Sequence, residues 1–374
     1  MSMSGNAVAR YARSAATALV LGLVTLLAFT TPAWAADGDL DESFSDDGKA
    51  IYGRTTGKDG LYHVFTQSNG DLVLSGWDNN NTSNSGAVRW ANVEVNSSGS
   101  GTGLFSNPDD RLFWSPRSDE IWETLLMSDG RYVHVGAVGT HTTSSSKDYD
   151  CAVAVRKANG DLDTTGFNSS GWLPATVTLS TSNAKGRFHV AFSTSVDDKC
   201  WAGAVQSDDK IIAAGYVSTN GADIALARVN TDGTLDTSFG TGGKVIADLG
   251  GTDSIRAVEI DANGKIVVAG KAADDFFVAR YTTSGDLDTS FSGDGIHTFD
   301  MGAGASDQLW GMRIQSDGKI VVAGDNGSGD WGVARLTSSG AMDTSFNSDG
   351  IVITDFGGGG DAARDLVIAS DGKI

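Results

Sequence analysis

The chain has 374 residues, with 47 acidic against 27 basic side chains, a formal charge of −20 and only two cysteines. So acidic a surface repels phosphate backbones and anionic lipid, which argues against nucleic acid and bare membrane as partners. It suits a soluble protein in a cation-rich exterior.

The first 35 residues form a separate segment. Arg10 and Arg13 precede an apolar run over 15–29, and Ala33-Trp34-Ala35 has the small-x-small form of a signal-peptidase site. The run is shorter than the roughly 20 residues that span a bilayer. We therefore expect an export signal cleaved near Ala35 rather than an uncleaved anchor. Cleavage moves the formal charge to −22 and leaves 36–374 as the mature chain, secreted or held at the cell envelope without membrane insertion.

The mature chain repeats itself. GDLDESFSDDGKAIY (38–52) matches the later half of a unit that becomes clear only downstream. LYHVFTQSNGDLVLSGW (61–77) is a first full opening, IWETLLMSDGRYVHVGA (121–137) a second and CWAGAVQSDDKIIAAGY (200–216) a third. The cleanest unit runs from SIRAVEID (254–261) through the Asn263-Gly264 turn to KIVVAG (265–270), a β-hairpin signature. FFVARY (276–281) and GIHTFD (295–300) supply two more strands. QLWGMRIQSDGKIVVAG (308–324) opens the next unit, and AARDLVIASDGKI (362–374) begins another. The hairpin-ending glycines, Gly76, Gly136, Gly215, Gly270 and Gly324, stand 60, 79, 55 and 54 residues apart. The two long steps place insertions at 78–119 and 166–199, and such insertions fall in loops on one face.

Four short strands in such a period make one propeller blade. The expectation is an all-β, β-propeller of four-stranded blades, about six in number with the last one incomplete. A single domain over 36–374 is read as cut short at its C-terminus. An open stack of β units is the alternative, but the period is too long for one β-helical coil. Segment 38–52 is expected to close the ring as the outermost strand of the last blade, removing an exposed edge.

The phrases DGKIVVAG, VAR (278–280 and 333–335), LDTSF and DGI or GGK resemble the bacterial delta-60 repeat, closely in 207–374 and more loosely in 61–200. That resemblance implies an exported β-propeller repeat of surface proteins. It brings no catalytic residues with it.

Several residue sets invite a chemical reading. The aspartates of the LDTSF phrase (Asp41, Asp163, Asp236, Asp288, Asp343) recur in every unit, which argues for turn structure rather than a site. Phe44, Phe167, Phe239, Phe291 and Phe346 are expected to plug the space between sheets. Arg228, Arg280 and Arg335 hold one equivalent position, suited to a repeated ion pair or to tying turn carbonyls. Cys151 and Cys200 are either a disulfide or two buried thiols; exported context suits a bridge. Acidic turns such as Asp46-Asp47, Asp208-Asp209 and Asp274-Asp275 leave a surface Ca²⁺ open, with no ligand assigned, while Asp37–Asp41 lacks the Gly and Glu of an EF-hand. His63, His134, His141, His189 and His297 show no zinc-enzyme spacing, and neither a nucleophile elbow nor a phosphate loop is present.

The remaining candidate is an aromatic series at the second position of each first strand: Tyr62, Trp122, Trp201 and Trp310, with Arg256 and Arg364 in the same column. Packing between blades is the plainer expectation for these rings. Should they instead line the channel mouth, they would stack neutral glycans or aromatic ligands. The function expected is thus a non-catalytic binding or structural module outside the cell, with neutral glycans or surface proteins as partners. The competing class is a polysaccharide hydrolase or lyase with acidic residues at the channel mouth, marked by one blade, within the divergent copies at 61–200, that breaks the repeat with unmatched acidic or His residues.

Overall fold

The computed structural model describes residues 59–66, 71–78, 89–95, 100–104, 120–139, 149–171, 185–193, 196–219, 221–302, 306–357 and 359–374. The expected export signal and the closing segment 38–52 lie outside them, as do Asp41 and Phe44. No helix among the described residues is long and apolar enough to cross a membrane.

Among the described residues, twenty strands form five antiparallel sheets, each a meander of four consecutive strands. The first blade holds β1 (Asp59–Thr66), β2 (Leu72–Asp78), β3 (Arg89–Val95) and β4 (Gly101–Leu104). The second holds β5 (Glu120–Leu126), β6 (Tyr132–Gly139), β7 (Tyr149–Arg156) and β8 (Arg187–Val190). The third holds β9 (Asp198–Val205), β10 (Ile211–Val217), β11 (Asp223–Val229) and β12 (Lys244–Ala247). The fourth holds β13 (Ser254–Ile260), β14 (Ile266–Ala272), β15 (Asp275–Tyr281) and β16 (Ile296–Phe299). The fifth holds β17 (Gln308–Ile314), β18 (Ile320–Asp325), β19 (Trp331–Leu336) and β20 (Ile351–Thr354). Residues 361–374 begin a sixth unit without a strand. The architecture is a bladed β-propeller, as the repeat period predicts.

First strands are successive neighbours, β1 beside β5, β5 beside β9, β9 beside β13 and β13 beside β17. They therefore sit innermost. The second strands β6, β10, β14 and β18 are buried on both faces, which is why IIAAG and IVVAG read as continuous apolar runs rather than alternating ones. The core lies between sheets: one cluster joins Ile212, Leu226 and Phe239 of the third unit to Ile255, Val268 and Tyr281 of the fourth. The fourth strands β12, β16 and β20 are short and partly exposed, with Ile246 and Ile353 facing outward, whereas β8 is buried throughout.

The recurrent turn explains the LDTSF phrase. Arg228 Nε donates to Asp236 at 2.8 Å, Arg280 to Asp288 at 2.6 Å and Arg335 to Asp343 at 2.7 Å. Each guanidinium lies over the phrase's phenylalanine, 4.7 Å from Phe239, 4.9 Å from Phe291 and 4.6 Å from Phe346. Arg280 Nη1 also donates to the Ser338 carbonyl of the next unit at 2.7 Å, and Arg228 does the same to Thr283. Both roles expected of these arginines are thus filled together. The second blade departs: Val155 holds the arginine position, and Arg131 reaches Asp163 at 3.1 Å instead. Gly285 lies against the Phe239 ring of the preceding unit, where a Cβ would stand 2.9 Å from the ring.

Cys151 on β7 and Cys200 on β9 form a disulfide, with Cα atoms 4.9 Å apart. It ties the third strand of one blade to the first strand of the next. Closing a loop of 49 residues stabilises the fold by about 4 kcal/mol in the chain-entropy treatment.

Candidate binding site

All five first strands share one irregularity. Leu61 pairs with Gly76 and His63 with Ser75; Ile121 with Gly136 and Glu123 with Val135. Cys200 pairs with Gly215 and Ala202 with Ala214; Ile255 with Gly270 and Ala257 with Ala269; Leu309 with Gly324 and Gly311 with Ala323. One residue is left over each time: Tyr62, Trp122, Trp201, Arg256 and Trp310. A β-bulge of this kind bends the strand and re-aims the extra side chain.

The bulge also dictates the glycine opposite. A Cβ on Gly136, Gly215, Gly270 or Gly324 would lie 1.9–2.0 Å from the carbonyl oxygen of Glu120, Lys199, Ser254 or Gln308. The terminal glycine of the VVAG phrase is therefore required by backbone contact, not by turn geometry.

The bulged side chains gather. Trp122, Trp201, Arg256, Trp310 and, from the sixth unit, Arg364 line one cavity of about 720 Å³ between the first strands. The Tyr62 side chain lies outside the described residues. Trp122 and Trp201 meet edge to face at 6.5 Å, and Trp201 packs on Tyr216 at 4.6 Å. The Arg256 guanidinium lies 3.5 Å over Trp201 and 5.0 Å from Trp310, while Arg364 lies 4.1 Å from Trp310. The result is an alternating ladder of indoles and guanidinium groups. All three tryptophans are half-buried, so they form a wall of the cavity rather than a sealed core.

Two further columns of the first strands reach this cavity. At the third position stand Glu123 and Asp365, where the units between them have Ala202, Ala257 and Gly311. At the fifth stand Glu259 and Arg313. Arg313 pairs with Asp365 at 3.2 Å and with Glu259 at 3.7 Å. Glu259 also accepts the Ile314 N–H at 2.8 Å, and Glu123 accepts the Gly203 N–H at 2.7 Å.

Burial sets the electrostatics. It pushes the Glu123 carboxyl up to about 7; the Gly203 hydrogen bond and Arg313 pull it back, and Glu259 and Asp365 reinforce the rise. Burial likewise raises Glu259. It draws Arg256 down to about 10, opposed by Tyr216 and aided by Arg364. Three guanidinium and three carboxyl groups share the lining, so it is near charge balance in an otherwise acidic protein.

Sequence reasoning named the aromatic column but missed Glu123, Glu259 and Arg313. The available signal was Glu123 itself, an acid in a column of Ala and Gly within the divergent region 61–200. Among the described residues, His134 and His189 are buried away from this lining, and His297 contacts Ser292 at the surface.

Three segments, 206–239, 262–291 and 315–346, match a repeat family described as "Domain of unknown function (DUF5122) beta-propeller". No curated protein matches the chain. Among solved structures, a protein of unknown function from Bacteroides caccae is similar at 10% identity and TM-score 0.39, over 78% of this chain and 86% of that one. Kuenenia stuttgartiensis hydrazine synthase is similar at 13% identity and TM-score 0.39, over 75% of this chain and 37% of that one. A mutant NanB sialidase from Streptococcus pneumoniae is similar at 9% identity and TM-score 0.36, over 80% of this chain and 52% of that one. These likenesses carry no argument about activity. The repeat matches and the five four-stranded sheets together place this chain among the β-propeller repeat proteins.

Proposed function

We propose that this is an exported, non-catalytic binding module of the delta-60 repeat type, taking a neutral glycan or an aromatic group at the channel cavity. The observation that carries this reading is the convergence of Trp122, Trp201 and Trp310 on one cavity whose charged groups balance. Indole faces stack on the apolar faces of sugar rings, and carboxylate and guanidinium groups between them hydrogen-bond hydroxyls. Charge balance favours a neutral ligand over an anionic one. Arg256 and Arg364 already lie over Trp201 and Trp310, so a ligand adds to a ladder that is already partly stacked. Export rests on the 1–35 signal pattern.

A second reading is supported by Glu123 alone. A carboxyl held near 7 in a cleft beside Glu259 has the protonation behaviour of a general acid, which suits a polysaccharide hydrolase or lyase. One experiment addresses both. Neutral oligosaccharides are titrated calorimetrically into the wild type and Trp122→Ala, and the mixtures are then analysed for cleavage products. Binding weakened about tenfold in the variant, without products, supports the module. Products that vanish in Glu123→Gln support the enzyme. Binding unchanged in Trp122→Ala contradicts the channel site.

A further inference from the structure

Away from the channel, every repeat carries an aspartate two residues ahead of the first core residue of its first strand; in the last four units these are Asp198, Asp253, Asp307 and Asp361. In the third and fourth units it is an internal clamp. Asp198 accepts N–H groups from Cys151 at 2.7 Å, Phe192 at 3.0 Å and Ser193 at 3.2 Å, filling both oxygens. Asp253 accepts Leu249 at 2.6 Å on one oxygen and Ala273 at 3.0 Å on the other.

Asp307 breaks the pattern. It is fully buried, its Oδ2 accepts the Met301 N–H at 2.9 Å, and its Oδ1 has no hydrogen-bond partner. The cause is local. In the fourth unit the connection after the second strand is short, and Ala273 within it supplies the second N–H to Asp253. In the fifth unit that connection runs from 326 to 330, and the Gly327 N–H in the place of Ala273 goes to Asp325 instead, at 3.3 Å.

A buried carboxylate oxygen with no donor is costly, and two more carboxylates stand beside it. One oxygen each of Asp275, Asp300 and Asp307 lies within 4.8 Å of the others. Among the described residues none of the three pairs with a lysine or arginine within 4.0 Å. Ligands about 2.3–2.6 Å from a calcium ion lie at most about 5 Å from one another, so the three oxygens fit around one cation. An all-oxygen set without His or Cys selects a hard divalent ion over zinc.

We propose that Asp275, Asp300 and Asp307 form a calcium-type cation site that bridges the fourth blade to the entry of the fifth. Asp275 opens β15 and Asp300 follows β16, while Asp307 leads into β17. The ion thus takes the place, between these two blades, of the amide that satisfies Asp253 one unit earlier. Burial, then the carboxylates of Asp300, Asp275 and Asp325, push Asp307 up to about 6, consistent with three uncompensated acids.

The test is calorimetric titration of Ca²⁺ into the chelator-treated full chain, with melting temperature read in parallel. The wild type should bind one ion and melt higher with calcium. Asp300→Asn and Asp275→Asn should each bind at least about tenfold more weakly and lose most of the melting shift. Asp248→Asn, at the place of Asp300 one unit earlier, should behave as wild type because Asp253 is already saturated. Two results overturn the proposal: neither heat nor a melting shift up to about 10 mM Ca²⁺, well above the range of weak extracellular calcium modules, or equal binding by Asp300→Asn and the wild type. The second would assign calcium to the diffuse acidic surface.

Discussion

At Glu123 a carboxyl group stands where the following three units place Ala202, Ala257 and Gly311, and burial holds it near 7 against an ordinary value of 4.5. Between those values the folded protein keeps a proton that the unfolded chain has released. Stability from the protonated form is therefore full below about 4.5 and is lost as pH rises through about 7. Glutamine mimics the protonated acid. Relative to the wild type, Glu123→Gln should gain melting temperature at pH 8 and little at pH 5; an equal offset at both pH values would show that burial does not shift this group. The aspartates of the recurrent turn act in the opposite direction. Burial opposes their ionisation at Asp236, but the Ser238 hydroxyl and Lys210 hold it well below the usual range, and Ser345 and Lys319 do the same for Asp343. Their contribution is present above the ordinary carboxylate range and is lost as pH falls below about 4.

The bulged first strand is the element from which the candidate site is built, and it was only half legible. The alternation of SIRAVEID and the Asn-Gly turn announce a hairpin, and the column Tyr62, Trp122, Trp201, Arg256, Trp310 can be read by simple alignment. The bulge at that column cannot. An extra residue in one strand looks, in sequence, like an ordinary continuation, and only the register of Ile255 on Gly270 and Ala257 on Ala269 exposes it. For the same reason the glycine of VVAG was visible as a repeat but not as a steric necessity. Gly270→Ala would place a methyl 1.9 Å from the Ser254 oxygen, and backbone on both sides leaves little room to yield. It should cost at least about 2 kcal/mol in denaturant unfolding. Gly359→Ala, in open space, should fall within about 0.5 kcal/mol of the wild type. Similar costs for the two would mean that the strands separate easily and that the bulge is not fixed. A blade that breaks the repeat with an unmatched charge was the expected mark of a site, but Glu123 and Arg313 were not singled out, because the column each occupies is fixed only by the register around the bulge.

Over the whole molecule, a chain of formal charge −20 surrounds a cavity lined by three guanidinium and three carboxyl groups. The blade count was legible because the 54-residue step and the strand phrases agree. The disulfide partners were not, since spacing alone does not say that Cys151 and Cys200 face one another. The central claim is that the first strands, converging on the channel, form the ligand site. Hydrogen–deuterium exchange with and without a bound neutral oligosaccharide tests it most directly. Peptides covering β5, β9, β13 and β17 should gain protection on binding, with the third and fourth strands of each blade unchanged. Protection confined to the outer strands or the inserted loops, or binding that leaves the first strands unaltered, would contradict the account.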